Sequence, residues 1–189
     1  MSQVVFLDTN VMLDYLENRN QEVRDIIAQL LLLFKKGRII VATSIFNITE
    51  LIDKEFQIYF IGSCIGERMS YDEIERKKGD KNLFKEIAEV NKEKIEEKIE
   101  NFIFKNEIKI LSFSFDDSKK YQEIYELIYN NQLRSQDALI IATAISNNIT
   151  YFISNDSDLT KHIESLLNTY NLRDKNEREN FKNYVLEAV

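Results

Sequence analysis

Four short apolar runs interrupt an otherwise polar chain: Val4 to Leu7, Ile39 to Ala42, Ile108 to Phe113 and Thr150 to Ile153. Each has the length of a strand rather than a helix. Runs of this kind belong to strands buried on both faces of a parallel sheet. The stretches between them carry a helical period. Asn10 to Leu16 and Val23 to Phe34 form a first crossover, with Gly37 as the helix stop. Ser44 is placed to cap a helix whose apolar face runs Ile48, Leu51, Ile52, Phe56, Tyr59 and Phe60. Helices are also predicted over Tyr121 to Tyr129 and over Ala138 to Ile145, the latter with Ala138, Ile141, Ala142 and Ile145 on one face. Strands alternating with helices give an α/β fold with right-handed crossovers.

The second crossover is long. It holds a breaker at Gly79-Asp80 and a charged helix from about Lys81 to Phe104, striped by Leu83, Ile87, Val90, Ile95, Ile99 and Phe102. After Asp158 the chain enters a polar stretch, Asn171 to Asn180, and then a last short helix around Phe181, Tyr184 and Val185. No internal repeat is visible. The 189 residues, 44% of them hydrophobic and 30% charged, fit one soluble domain with its own core. The absence of Pro and the presence of only four Gly favour long helices over extended linkers.

Composition narrows the chemistry. One cysteine, Cys64, excludes an internal disulfide, and one histidine, His162, excludes a zinc set of Cys and His. No basic leader with a cleavage site precedes the first apolar run, and the longest apolar stretch, near Leu30 to Phe34, is too short to span a bilayer. A reducing, cytoplasmic setting is expected. The net charge of -7 argues against binding nucleic acid by bulk electrostatics alone.

Against that background four acidic positions matter, because Asp is depleted in strands and rarely buried without a partner. Asp8 closes the first apolar run, and Glu50 lies about two turns into the helix after the second. Asp137 opens the helix that feeds the last run, and Asp156 follows that run, with Asp158 two residues on. Sites in open parallel sheets form outside the carboxyl ends of the strands, and all four acids can reach that edge. Two carboxylates about 4 Å apart repel by ~4 kcal/mol at an effective dielectric near 20. A converged cluster therefore calls for a hard divalent cation with oxygen ligands.

Leu7-Asp8-Thr9-Asn10-Val11-Met12-Leu13-Asp14, Thr49-Glu50-Leu51, Asp137-Ala138-Leu139-Ile140 followed by Ala142 and Ala144, and Phe152-Ile153-Ser154-Asn155-Asp156-Ser157-Asp158 together resemble the PIN-domain nucleases. The toxin components of toxin–antitoxin pairs belong to that family. The resemblance spans about residues 3 to 160. It implies a three-layer α/β/α sandwich around a parallel sheet of four to five strands. The whole of 1–189 would then be one PIN-like domain, with a helical insertion at about 55–106 and a C-terminal helical tail at about 163–189. It further implies a Mg²⁺- or Mn²⁺-dependent endoribonuclease with Asp8, Glu50, Asp137 and Asp156 as catalytic metal ligands and Asp158 as a fifth acid. Asn10 and Ser154 would support the ligands by hydrogen bonds, and the partners implied are RNA and an antitoxin protein. The chain departs from the family in its enlarged arm, in Ser154 where Thr is commoner and in Leu159 where an aromatic is common.

Other features read as structural. His162 is expected on the surface, Cys64 in the core, and the run from Lys92 to Glu100 on a solvated helix face. Arg134, three residues before Asp137, is the candidate phosphate contact. Lys35, Lys36 and Arg38 offer a basic rim of unknown position. Phe56, Tyr59 and Phe60 give more aromatic surface than one helix face readily buries, so part should pack on the arm and part should form a homodimer or antitoxin surface. Two alternatives remain. One is a PIN-like scaffold with a vestigial site. The other is a phosphatase of the haloacid-dehalogenase type, which needs a second Asp where Asn10 stands.

Overall fold

The computed structural model describes residues 3–114 and 118–186. Strand β1 (Gln3–Leu7) leads through α1 (Thr9–Leu16) and α2 (Gln21–Lys35) to β2 (Ile39–Ser44). Three helices follow, α3 (Ile45–Gly66), α4 (Tyr71–Lys77) and α5 (Lys81–Ile103), before the short β3 (Lys109–Leu111). Then come α6 (Ser118–Tyr129), α7 (Ser135–Ser146) and β4 (Tyr151–Ser154). The last elements are α8 (Ser157–Ile163), β5 (Thr169–Asn171), α9 (Lys175–Phe181) and a π-helical turn over Lys182–Leu186.

The strands form one sheet in the order β3-β2-β1-β4-β5, and every pairing is parallel. The two-residue period of a strand sends alternate side chains to opposite layers. Val5, Leu7, Val41 and Ile153 face α1, α2, α3 and α5, in a core completed by Leu172, Phe181 and Val185 from the end of the chain. Phe6 and Phe152 face the other way, against α6, α7 and α8, with their rings stacked 5.3 Å apart. The result is the expected three-layer α/β/α sandwich.

Local signals set the element boundaries that matter for the site. The Asn20 side chain accepts from the amides of Glu22 and Val23 to open α2. Gly37, in the left-handed region at φ 70°, ends it. The Ser44 hydroxyl accepts from Asn47 N and starts α3 directly at the end of β2. α3 is thereby fixed over the carboxyl edge of the sheet.

The arm departs from the sequence reading at two points. Val90 is 72% exposed, and the inward position on α5 is taken by Asn91, whose Nδ2 donates to Ile87 O. Lys98 does not join the solvated face. It turns in to bridge Glu17, just past α1, and Glu55 on α3, the latter at 2.7 Å. Lys92 and Glu96 do pair across the solvated face. Phe60, Cys64 and Ile74 form a small core of the arm, lined by Met69, Leu83, Phe84 and Ile87. α4 lacks a periodic apolar stripe, but Ser70 and Glu73 open it with a capping box. The tail is also not purely helical: β5 adds a fifth strand, with Asn171 in register with Ser154. No helix among the described residues is long and apolar enough to cross a membrane.

Candidate active site

The chain runs from β1 to β2 on one side of the sheet and later returns to β4 on the other side of β1. The carboxyl ends of β1 and β4 therefore flank the switch point at which open parallel sheets hold ligands. Asp8 occupies the end of β1. Its amide donates to Ile153 O at 3.0 Å, tying it to β4. Its backbone is extended, at φ -78° and ψ 159°, and its carboxylate caps α1 by accepting from Thr9 N at 2.8 Å. The side chain is only 5% exposed.

Four donors converge on Asp8 and its neighbour Glu50. Asn47, one turn into α3 and fully buried, donates from Nδ2 to Asp8 Oδ1 at 2.9 Å and to Thr9 Oγ1 at 3.1 Å. Thr9 Oγ1 in turn donates to Glu50 Oε2 at 2.7 Å. Ser154, at the end of β4, donates from Oγ to Asp8 Oδ2 at 2.7 Å and accepts from Asp156 N at 3.0 Å. Asn10 completes the link: Nδ2 donates to Ser154 Oγ at 3.1 Å, and Oδ1 accepts from Asn155 N at 2.7 Å. With both ends of its amide engaged, Asn10 serves as a strut.

Burial pushes the Asp8 carboxyl up to about 7; Glu50 and Asp137 add to this, and the Ser154 hydroxyl and Thr9 amide oppose it. Asp137, half-buried in the first turn of α7, is also raised, by burial first and then by Glu50 and Asp156, against Arg134. The four acids thus act on one another's charge. They do not form a closed ligand cage: among the described residues, no three His, Cys, Asp or Glu side chains are grouped so as to hold an ion. Asp156 spends Oδ1 on capping α8, accepting from Asp158 N and Leu159 N. The donor chemistry nonetheless fits a hard divalent cation, since these are carboxylate oxygens and the charged groups acting on the buried Asp8 are themselves acids.

The PIN domain family model matches residues 5–164. This chain belongs to the PIN domain family. No curated protein matches it in sequence. VapBC2 from Rickettsia felis, crystallised bound to a DNA fragment from its promoter, superposes with a TM-score of 0.51 at 16% identity, over 89% of this chain and 99% of that one. VapBC-1 from nontypeable Haemophilus influenzae gives a TM-score of 0.48 at 15% identity, over 91% and 100%. At 16% identity the likeness to VapBC2 is one of fold.

The remaining candidates are scattered, some beside these acids and some far from them. Asp158 is exposed in the first turn of α8. Arg134 is exposed at the start of α7, where its charge reaches Asp137. Lys35, Lys36 and Arg38 precede β2, which puts them at the amino edge, away from the acids. His162 is exposed on α8, and Cys64 is buried in the arm. The sequence reading missed Thr9, Asn47, Asp14 and Asn155. Spacing could have found two of them: Asn47 lies three residues before Glu50, and Asp14 four after Asn10, each pair on one helix face.

Proposed function

We propose that this PIN domain is a metal-dependent endoribonuclease, hydrolysing RNA phosphodiesters at the carboxyl edge of its sheet, and that it acts as the toxin of a toxin–antitoxin pair. The observation that carries the reading is the buried Asp8 carboxylate, joined through Thr9 and Asn47 to Glu50 and through Ser154 to the Asp156 turn. Asp8, Glu50, Asp137 and Asp156 are assigned as ligands, with Asp158 at the lip. A bound Mg²⁺ or Mn²⁺ would offset the mutual repulsion of the acids and supply the Lewis acidity that phosphodiester hydrolysis needs. The chain's own part is to hold the carboxylates. Asn47 and Ser154 fix the two oxygens of Asp8, and Thr9 draws Glu50 towards it. Arg134, at the start of α7, is suited to meet an incoming phosphate. In a chain with net charge -7, such a local cation lowers the barrier to polyanion approach.

An antitoxin partner follows from the resemblance to PIN toxins. A groove of about 470 Å³ between α3 and α5, lined by Ile52, Phe56, Ile95, Ile99 and Phe104 and edged by Lys92, Glu96 and Glu100, offers apolar surface for an amphipathic partner segment. A homodimer is the other occupant this face allows.

The test is cleavage of RNA by the purified chain. Chelator should abolish it, and added Mn²⁺ or Mg²⁺ should restore it. Asp8→Asn and Asp137→Asn should each remove it while leaving the far-UV circular dichroism unchanged. Full activity in excess chelator rejects the reading.

A further inference from the structure

We infer that Arg173 is a positioning residue for the acid site, holding the Ser154–Asp156 turn in place through Asp14 and Asn155. Its functional half rests on the nuclease reading above. Arg173 lies outside the matched family region, which ends at residue 164. Its guanidinium grips Asp14 on α1 with both prongs, Nε to Oδ2 at 3.1 Å and a terminal nitrogen to Oδ1 at 2.8 Å. Asp14 also accepts from Asn155 Nδ2 at 2.8 Å. The backbone of that same Asn155 donates to Asn10, and Asn10 holds Ser154, which touches both Asp8 and the Asp156 amide. An unbroken run of hydrogen bonds thus joins the segment after β5 to two of the four acids.

Arg173 is itself carefully placed. β5 pairs with β4 so that Asn171 stands opposite Ser154. Asn171 Oδ1 then accepts from Arg173 N at 2.9 Å, while Glu177 Oε2 accepts from Asn171 N at 2.7 Å. The tail has apolar anchors besides this ion pair, since Leu172, Phe181 and Val185 are fully buried. The pair is lopsided for a simple fastening, since the Asp14 side chain is 1% exposed and gives up its hydration whereas Arg173 is 52% exposed. What a bidentate fork provides, and an apolar residue would not, is a fixed orientation. Here it fixes Asp14, and Asp14 fixes Asn155.

The experiment uses the full chain with three changes: Arg173→Met, Arg173→Lys, and Arg173→Met combined with Asp14→Asn. The double variant removes the stranded buried charge yet keeps an acceptor for Asn155, so it separates orientation from charge neutralisation and covers a single variant that fails to fold. Amide hydrogen exchange in metal-free protein is the first readout, and the Mn²⁺ midpoint of thermal stabilisation is the second. Exchange at Asn155 and Asp156 should rise at least tenfold over any change at Val41 in β2. The Mn²⁺ midpoint should rise about 10- to 100-fold, as is usual when a group supporting a ligand is lost. Both effects should persist in the double variant, and Arg173→Lys should fall between. Exchange at Asn155 and Asp156 that rises only in step with Val41, or a double variant that behaves as wild type, overturns the inference. A wild type that neither responds to Mn²⁺ nor cleaves RNA rejects the nuclease reading instead, and the exchange result still decides the role of Arg173.

Discussion

Asp8 places a carboxyl in a buried position flanked by other acids. Its carboxyl stands at about 7 in the metal-free chain, and a carbon-detected NMR titration of that side chain should find a midpoint there. A midpoint below 5 would mean that Asp8 is neither dry nor crowded. Asp137 is raised for the same reasons, burial and then Glu50 and Asp156. A carboxyl raised above its unfolded value of about 4 binds its proton more tightly in the folded chain. The stability this brings is complete below pH 4 and is lost as pH rises through the folded value. Asp137→Asn should therefore raise the melting temperature of metal-free protein at pH 7, and the gain should shrink as pH falls towards 4. A variant that melts lower than wild type in chelator at pH 7 would make Asp137 a helix-start residue only. At this scale Asp8 and Asp156 stood out in the sequence because each follows an apolar run, and Glu50 and Asp137 because of the helices that carry them. The hydrogen-bonding neutral residues were not, since a Thr, an Asn or a Ser looks the same in a sequence whether it caps a helix or holds a carboxylate.

An inward lysine adds an ionic tie to the apolar packing of α5. Lys98 on α5 bridges Glu55 on α3 and Glu17, just past α1. Burial raises the Glu55 carboxyl, and Lys98 opposes that rise. Lys98→Met strands Glu55 and should cost about 3–5 kcal/mol in urea denaturation. Adding Glu55→Leu should return most of that loss, because an apolar pair of similar volume needs no hydration. If the single change costs under 0.5 kcal/mol, α5 is held by its apolar stripe alone. The strands, the Ser44 cap and the Gly37 stop were readable as elements, because apolar runs and caps are local signals. The inward turn of Lys98 and the exposure of Val90 were not, because helical period locates a stripe only to within about one residue either side, and α3 decides which edge of it is buried.

On the α1–α2 side the sheet is closed by Leu172, Phe181 and Val185. Phe181 is fully buried beneath the sheet, its ring 5.2 Å from that of Tyr170. Phe181→Ala should cost about 3–5 kcal/mol of stability by thermal or urea unfolding, and a cost below 1 kcal/mol would make the tail an appendage. The α/β alternation made the fold class legible, whereas β5 (Thr169–Asn171) gave no apolar run to mark it, since a three-residue edge strand needs little apolar sequence to pair. The central position of β1 has a further consequence. Val4 N donates to Thr150 Oγ1, and Ser154 Oγ donates to Asp8 Oδ2, each across 146 positions of sequence. A ribosome adding about 5–20 residues per second needs roughly 7–30 s to supply those partners. Through that interval β1 is exposed without its β4 neighbour, and the acid edge does not yet exist. The site is therefore assembled in order of sequence distance: Asp8 and Glu50 can meet once α3 has formed, whereas Ser154 and Asp156 join them last.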